Sequence, residues 1–390
     1  MTKRKLTFII LISFYMMLLM GTVYAYSIFR TDIKEIYQVN TLLSGLPYML
    51  SLSFYALAMM VTGRYINNKN LRQIVFLGSM MIVLGFFVSS VTHNFIIFTL
   101  SYGMLIGIGV GMVYGIPVYI MQRYFPKRSG LYTGIILLGF GLSPLITAPL
   151  GKLFLSIYNL NTTFLILSII FLITQVPLSL FFKINEETLI ESKNNKPSLV
   201  INQNFWIIYG LFTITTAIGL MMIGLSYQVG VNYYGFDSKF VMLSISIFAL
   251  CNGIARPMFG YLIDKYDIIK PSIASLVLIG LAAGIGIFNQ GSNFYFFALT
   301  YGLFWFNLGA WLSIMPSMIK KYFDINHYSK IYGLVFTAYG IGAILSTLIS
   351  GSILDILGKT TYIYVSILVL LILAFILISR LKSVCKGVNY

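Results

Sequence analysis

The chain has 390 residues, of which 58% are hydrophobic and only 9% are charged, and its mean hydropathy is +0.90. Soluble globular chains carry about 25% charged residues, so this chain has too few charges to cover a water-exposed surface, and a soluble protein is excluded. Its net charge of +16 comes from short basic clusters between apolar runs, which is typical of a membrane protein. We therefore expect a lipid bilayer around the chain and no nucleic-acid partner.

The apolar runs predict twelve transmembrane helices in an all-α, polytopic membrane protein. Each run is close to the ~20 residues that cross a hydrocarbon core of about 30 Å. The first run is too long for the apolar part of a signal peptide, so we expect an uncleaved helix. In chain order the predicted spans are 6–29, 42–63, 71–91, 94–122, 130–156, 161–182, 203–230, 238–262, 268–288, 293–319, 329–354 and 360–380.

A polar segment that includes Glu186 and Glu187 separates the first six spans from the last six. The predicted organisation is an N-terminal six-helix bundle (1–182), a cytoplasmic linker loop (183–202) and a C-terminal six-helix bundle (203–390). Most of the 26 Lys and Arg residues fall in alternate loops on one side, and the positive-inside rule assigns that side to the cytoplasm. We expect a multi-pass protein of the plasma or inner membrane with both termini cytoplasmic.

The two halves contain similar sequences, which indicates duplication. Pro117, Gly134 and Gly141 each recur at one constant spacing, as Pro316, Gly333 and Gly340. A second pair of segments follows the second and eighth helices, running from Gly63 to Asn67 and from Gly260 to Asp264-Lys265.

The fourth helix carries four glycines on one face, since residues four apart lie on the same side of a helix. Such a face allows another backbone to approach closely. Tight packing is the ordinary interpretation, and a sliding surface between two rocking halves is the functional one. The four are Gly103, Gly107, Gly111 and Gly115.

Arg256 is the one charged residue that lies well inside a predicted span. Asp264 marks the predicted cytoplasmic end of the same helix. Arg256 comes eight residues earlier, which places it roughly 12 Å deeper in the bilayer. A charge there costs at least ~2.5–3.5 kcal/mol, and a guanidinium keeps its charge. Because no predicted span holds an acid at this depth, we expect a substrate carboxylate, which fits the guanidinium bidentately. The alternative is a structural arginine that binds helix-end carbonyls or snorkels to the surface.

Several aromatic residues lie inside spans beside glycines. Packing is their ordinary role, but together they would form a cage whose phenols donate to an anion. They are Tyr24, Tyr26, Tyr114, Phe140, Tyr332 and Tyr339.

Three segments resemble the major facilitator superfamily and, within it, the oxalate/formate antiporter group. They are Gly109–Pro117 with its continuation to Gly141, the run Asn252-Gly-Ile-Ala-Arg256-Pro-Met-Phe-Gly260, and Tyr332–Gly340. The segment from Gly260 to Lys265 is similar to the superfamily's loop between its second and third helices. In the equivalent segment of the first half, Asn67 stands at the position that Asp264 occupies in the second half.

The resemblance implies two pseudo-symmetric six-helix bundles with alternating access to a central site. Arg256 falls on the group's substrate-binding arginine, and four rings fall on its pocket wall: Tyr24, Tyr114, Phe140 and Phe336. Tyr339 stands where oxalate-exchanging members place a lysine. One arginine facing a tyrosine suits a single negative charge, so we expect a small monocarboxylate rather than oxalate.

The predicted function is therefore an antiporter or facilitated carrier of a small organic anion. No paired intramembrane acids, metal motif or nucleophile arrangement predicts an enzyme, and we expect no cofactor or metal. A proton-coupled carrier of a neutral or zwitterionic solute, with a structural Arg256, is the alternative; a receptor or scaffold would usually bring a soluble domain. The fold analogy predicts a monomer.

Overall fold

A computed structural model describes residues 3–39, 41–67, 70–125, 127–182 and 202–381. The predicted linker 183–202 lies outside the described residues except for Asn202. The described part is helical throughout, without strands, and twelve helices are long and apolar enough to span a membrane. The predicted number of spans is thus confirmed.

The spanning segments are numbered α1 to α12. They are Thr7–Tyr26 (α1), Leu43–Gly63 (α2), Leu71–Val91 (α3), Phe95–Tyr124 (α4), Ser129–Ile157 (α5), Leu160–Phe181 (α6), Gln203–Tyr233 (α7), Ser238–Tyr266 (α8), Ile269–Asn289 (α9), Phe294–Tyr322 (α10), Tyr328–Leu354 (α11) and Thr361–Ser379 (α12). A short helix, Arg30–Ile36, follows α1.

Side-chain caps determine where five of these helices begin. The residue before each helix accepts a hydrogen bond from a backbone N–H of the first turn, which satisfies donors that have no partner within the helix. These caps precede α4, α6, α7, α8 and α10, and they are Asn94, Asn159, Asn202, Asp237 and Asn293.

The two halves meet along two helix pairs, α5 with α8 and α2 with α11. Glycines let the backbones touch. A Cβ built at Gly134 would lie 2.6 Å from the Cα of Pro257, and one at Gly333 would lie 2.6 Å from the carbonyl oxygen of Met59. Since Gly134 and Gly333 are partners in the sequence repeat, the two interfaces are equivalent, as a duplicated fold requires.

The glycine face of α4 packs on α2 in the same half. A Cβ at Gly103 would lie 2.7 Å from the Cβ of Leu50, and one at Gly107 would lie 2.5 Å from the carbonyl oxygen of Ser51. Gly111 packs on the backbone of α2 one turn further on. Gly115 has more room, with its nearest neighbour 3.6 Å from a built Cβ. The face therefore joins helices within one half, and the proposed sliding surface between halves does not lie there in this conformation.

The loops that carry most of the basic residues lie at one end of the bundle, where α2 and α8 end and α5 and α11 begin. We call this the basic end. The charge pattern predicts that it faces the cytoplasm.

Candidate functional site

The six residues predicted to bind substrate lie together where α1, α4, α5, α8 and α11 converge. The ring centroids of Tyr24 and Phe140 are 5.0 Å apart, and those of Tyr114 and Phe140 are 5.5 Å apart. Across the interface between halves, Tyr114 lies 5.5 Å from Phe336, which in turn lies 5.2 Å from Tyr339. Every side chain in the cluster is buried, so the site is closed.

Arg256 sits at one side of this cluster, and its side chain is fully buried. One terminal nitrogen donates to the carbonyl oxygen of Leu137 at 2.8 Å, and the other donates to Oδ1 of Asn252 at 3.0 Å. The guanidinium carbon lies 5.6 Å from the centre of the Phe140 ring, a favourable cation–π distance. Leu137 and Phe140 belong to α5, so the arginine of one half is held by the other.

The guanidinium retains hydrogen-bonding capacity and charge. It has five N–H donors, and its Nε has no partner. No ion pair of Arg256 is found within the described ranges, whereas Lys321 near the basic end pairs with Asp267. A buried charge without a counterion is strongly unfavourable, so the site is electrostatically suited to an anion.

Asn252 fixes the arginine in place. Its amide nitrogen donates to the carbonyl oxygen of Trp305 at 2.8 Å, which orients its oxygen toward Arg256. The indole nitrogen of Trp305 donates in turn to Ser226 at 3.0 Å. Helices α7, α8 and α10 thus share one buried polar network that ends at the guanidinium.

Tyr339 bonds across the interface between halves. Its hydroxyl lies 2.5 Å from the hydroxyl of Tyr24, so a neutral phenol pair joins α11 to α1. This pair occupies the place where the resemblance leads one to look for a second cation.

Three more aromatic residues complete the cluster: Tyr332, which the sequence predicts as part of the aromatic cage, and Tyr55 and Phe212, which it does not predict. Tyr55 of α2 has ring centroids 5.0 Å from Phe336 and 5.3 Å from Tyr114. Phe212 of α7 lies 5.8 Å from Phe336, and Tyr332 lies 5.7 Å from it. Tyr332 was recognised as an aromatic residue beside a glycine, whereas Tyr55 and Phe212 offer no signal beyond a mid-span position.

The predicted gating residues divide into two groups. Asp264 accepts hydrogen bonds from the backbone N–H groups of Gly130, at 3.2 Å, and Leu131, at 2.9 Å. It therefore caps the first turn of α5 from the opposite half. Gly260 packs against the backbone of Gly130 beside it. Gly63 makes the equivalent contact in the other pair, between α2 and α11.

The other two loop residues bond locally. Asn67 and Asn70 exchange hydrogen bonds within their own loop. Lys265 lies over the rings of Tyr261 and Tyr266 of α8. In the first-half copy, the asparagine that stands in place of the acid thus bonds to its own loop.

Comparison with known proteins agrees with this architecture. The family model of the Major Facilitator Superfamily matches residues 6–245 and 216–384. The chain belongs to this superfamily. Its relatives and its fold are those of transporters, which are not enzymes.

Several relatives of this superfamily member match over most of their length. It is 23% identical over 336 residues to the "Uncharacterized MFS-type transporter YhjX" of Escherichia coli, covering 83% of this chain and 82% of that one. It is 22% identical to the oxalate:formate antiporter of Oxalobacter formigenes, with coverages of 87% and 84%. It is also 22% identical to monocarboxylate transporter 2 of Rattus norvegicus, with coverages of 94% and 80%. These relatives confirm the resemblance to the oxalate/formate antiporter group.

The fold is shared with solved structures. The crystal structure of the human organic anion transporter MFSD10 (TETRAN) superposes with a TM-score of 0.73 at 12% identity, covering 97% of this chain and 100% of that chain. At this identity the likeness shows the fold alone, and it confirms the predicted two-bundle, twelve-helix architecture.

Proposed function

We propose that this protein carries a small monocarboxylate across the membrane by alternating access, with Arg256 binding the carboxylate. The observation that supports this most strongly is the buried guanidinium, which has an unpartnered Nε and no carboxylate within ion-pair distance in the described ranges. A substrate anion would supply the missing charge and accept the remaining donors.

The depth of the site supports access from both sides in turn. Arg256, Tyr114 and Phe140 lie ten or eleven residues from the basic ends of their helices, which corresponds to roughly 15–17 Å. This is near the middle of a hydrocarbon core about 30 Å thick. Transporters of this architecture place their substrate near the midplane, between the two repeats. We propose that residues 1–182 and 203–390 are the two moving bodies of a monomer.

The charge and shape of the site favour a small, singly charged substrate. The Tyr24–Tyr339 pair contributes no formal charge, so one guanidinium balances one carboxylate. Phe140 lies against the guanidinium, and the rings of Tyr55 and Phe336 belong to the same buried cluster, so the substrate's carbon chain would meet apolar surface. Antiport and facilitated diffusion both fit this arrangement.

The basic end is closed by contacts that opening would break. The cap that Asp264 places on α5 and the bond from Lys320 to Ser129, at 2.7 Å, both join the two halves there. We propose that these contacts, together with the Gly63 and Gly260 close approaches, form the gate on this side.

The test is uptake of radiolabelled formate, lactate, pyruvate and oxalate into proteoliposomes. We expect saturable uptake of a monocarboxylate by the wild type, near-complete loss in Arg256→Ala, and a raised KM in Arg256→Lys, because an ammonium lacks the planar fork. Arg123→Ala is the matched control, since Arg123 binds Tyr119 near the basic end, outside the ring cluster. Wild-type uptake in Arg256→Ala would overturn the proposal.

A second candidate is a carrier of a neutral or zwitterionic solute in which Arg256 is structural. Its bonds to Leu137 and Asn252 are the observation that favours this role. On this hypothesis, no carboxylate is carried, and Arg256→Ala lowers the melting temperature of the purified protein.

A further inference from the structure

Helix α11 carries a row of phenols on one face that extends from the substrate site to the basic end. Tyr328, Tyr332 and Tyr339 are spaced four and seven residues apart, so their side chains project from the same side of the helix. Tyr328 is the first residue of α11, and Tyr339 lies roughly 16 Å further along the axis. All three are buried.

The rings in this row touch one another. The ring centroids of Tyr328 and Tyr332 are 5.5 Å apart, and those of Tyr332 and Phe336 are 5.7 Å apart. Phe336 also contacts Tyr114 of the opposite half, at 5.5 Å. The row is therefore continuous with the cluster around Arg256.

The tyrosine hydroxyls of the row and of the adjoining cluster differ in whether they have a hydrogen-bond partner. Tyr339 is bonded to Tyr24. The hydroxyls of Tyr114, Tyr328 and Tyr332 are buried without a well-formed hydrogen bond, although those of Tyr114 and Tyr332 approach each other. Burying an unpaired hydroxyl is unfavourable, and phenylalanine would pack the same ring without that cost. Three neighbouring donors, none with a well-formed bond to an acceptor, indicate an acceptor that is bound there during part of the transport cycle.

The nearby positive charge of Arg256 favours an anion as the acceptor. The hydroxyl of Tyr332 lies within electrostatic range of the Arg256 guanidinium and close to the hydroxyl of Tyr114. The hydroxyl of Tyr328 lies within electrostatic range of the Tyr114 hydroxyl. A carboxylate leaving Arg256 toward the basic end would meet these donors in sequence.

We propose that Tyr328 and Tyr332, with Tyr114, form a second carboxylate subsite between Arg256 and the basic end. This inference rests on the proposed function, and it adds a separate binding step on one side of the membrane. When the basic end opens, the substrate passes from the guanidinium to the phenols and then to water. The subsite therefore affects binding from the basic end and leaves binding from the opposite side to Arg256.

The test compares Tyr332→Phe, Tyr328→Phe and the double variant in membrane vesicles of both orientations. Each substitution keeps the ring and removes one hydroxyl. The charge pattern predicts that inside-out vesicles expose the basic end. In these, we expect the KM for the monocarboxylate to rise about tenfold for Tyr332→Phe, as for loss of one hydrogen bond to a charged group. In right-side-out vesicles, the KM should stay within about twofold of wild type.

Tyr48→Phe is the matched control. Its hydroxyl is also buried and unpartnered, but it lies in the part of α2 remote from the basic end, where its ring stacks on Tyr26 at 5.8 Å. This variant should not raise the KM at the basic end, and all four variants should melt no lower than the wild type, because each removes only a buried hydroxyl without a well-formed bond.

The outcomes separate this inference from the proposed function. If wild type carries a monocarboxylate in an Arg256-dependent way but the tyrosine variants leave the KM unchanged, or raise it equally on both sides, the phenols hold water only and the subsite is refuted. If wild type carries no carboxylate at all, the proposed function fails and the subsite fails with it.

Discussion

Replacing Asn252 with aspartate would place a carboxylate beside Arg256 without changing the size of the side chain. In the wild type, Oδ1 of Asn252 accepts a hydrogen bond from Arg256 at 3.0 Å, and Nδ2 donates to the carbonyl of Trp305 at 2.8 Å. An aspartate would keep the first contact and add a negative charge to it. It would then compete with the substrate for the guanidinium.

The size of this effect follows from the geometry. Opposite charges about 4 Å apart attract by about 4 kcal/mol at an effective dielectric constant of about 20. Aspartate cannot donate to the Trp305 carbonyl when ionised, and losing that bond costs about 1–2 kcal/mol. The balance is about 2–3 kcal/mol in favour of the internal ion pair, which corresponds to an affinity loss of about 30- to 150-fold for the substrate.

The assay is the KM for monocarboxylate uptake in proteoliposomes, with Asn307→Asp as the matched control. Asn307 is also buried in the C-terminal half, accepts from Ser275 at 2.6 Å and donates to the carbonyl of Leu303 at 2.7 Å. It makes no bond to Arg256, so its substitution carries the general cost of a buried acid without neutralising the guanidinium. A wild-type KM in Asn252→Asp, or an equal loss in both variants, would refute a carboxylate-binding role for Arg256.

Two further predictions concern the basic end. Asp264→Ala removes the acceptor of two N–H groups of α5, so we expect about 1–2 kcal/mol less protection of the Gly130 and Leu131 amides in hydrogen–deuterium exchange; unchanged protection would exclude the cap. Burial raises the pKa of the half-exposed Asp267, but the Lys321 ammonium and a backbone N–H outweigh burial and hold that pKa below its usual value. Because the folded-state pKa is depressed, this pair stabilises the fold at neutral pH and loses its contribution as the pH falls through the folded-state pKa, which lies below the ordinary Asp value. Exposed pairs contribute at most about 1 kcal/mol, so Asp267→Asn should lower the melting temperature slightly at neutral pH. This effect should shrink as the solution is acidified through the folded-state pKa, and an effect that stays constant on acidification would contradict the pairing.

The sequence by itself determined the membrane architecture and singled out Arg256 as the centre of the candidate site. Apolar runs long enough to cross a bilayer have few alternatives to spanning helices, because lipid cannot satisfy exposed backbone groups. That is why the predicted and observed spans agree to within a few residues over most of the chain. Arg256 was recognisable for a related reason, since a lone charge in an apolar run is conspicuous and costly.

The partners of these residues were decided only by the tertiary structure. The glycine spacing in α4 revealed a face without side chains, but it could not show that α2 of the same half covers it rather than a helix of the other half. Tyr55 and Phe212 joined the cluster because their helices rotate them inward, and with 16% aromatic residues in the chain nothing local distinguishes them from rings that face lipid. Spacing along one helix determines which residues share a face, whereas the neighbour of that face depends on how all twelve helices pack.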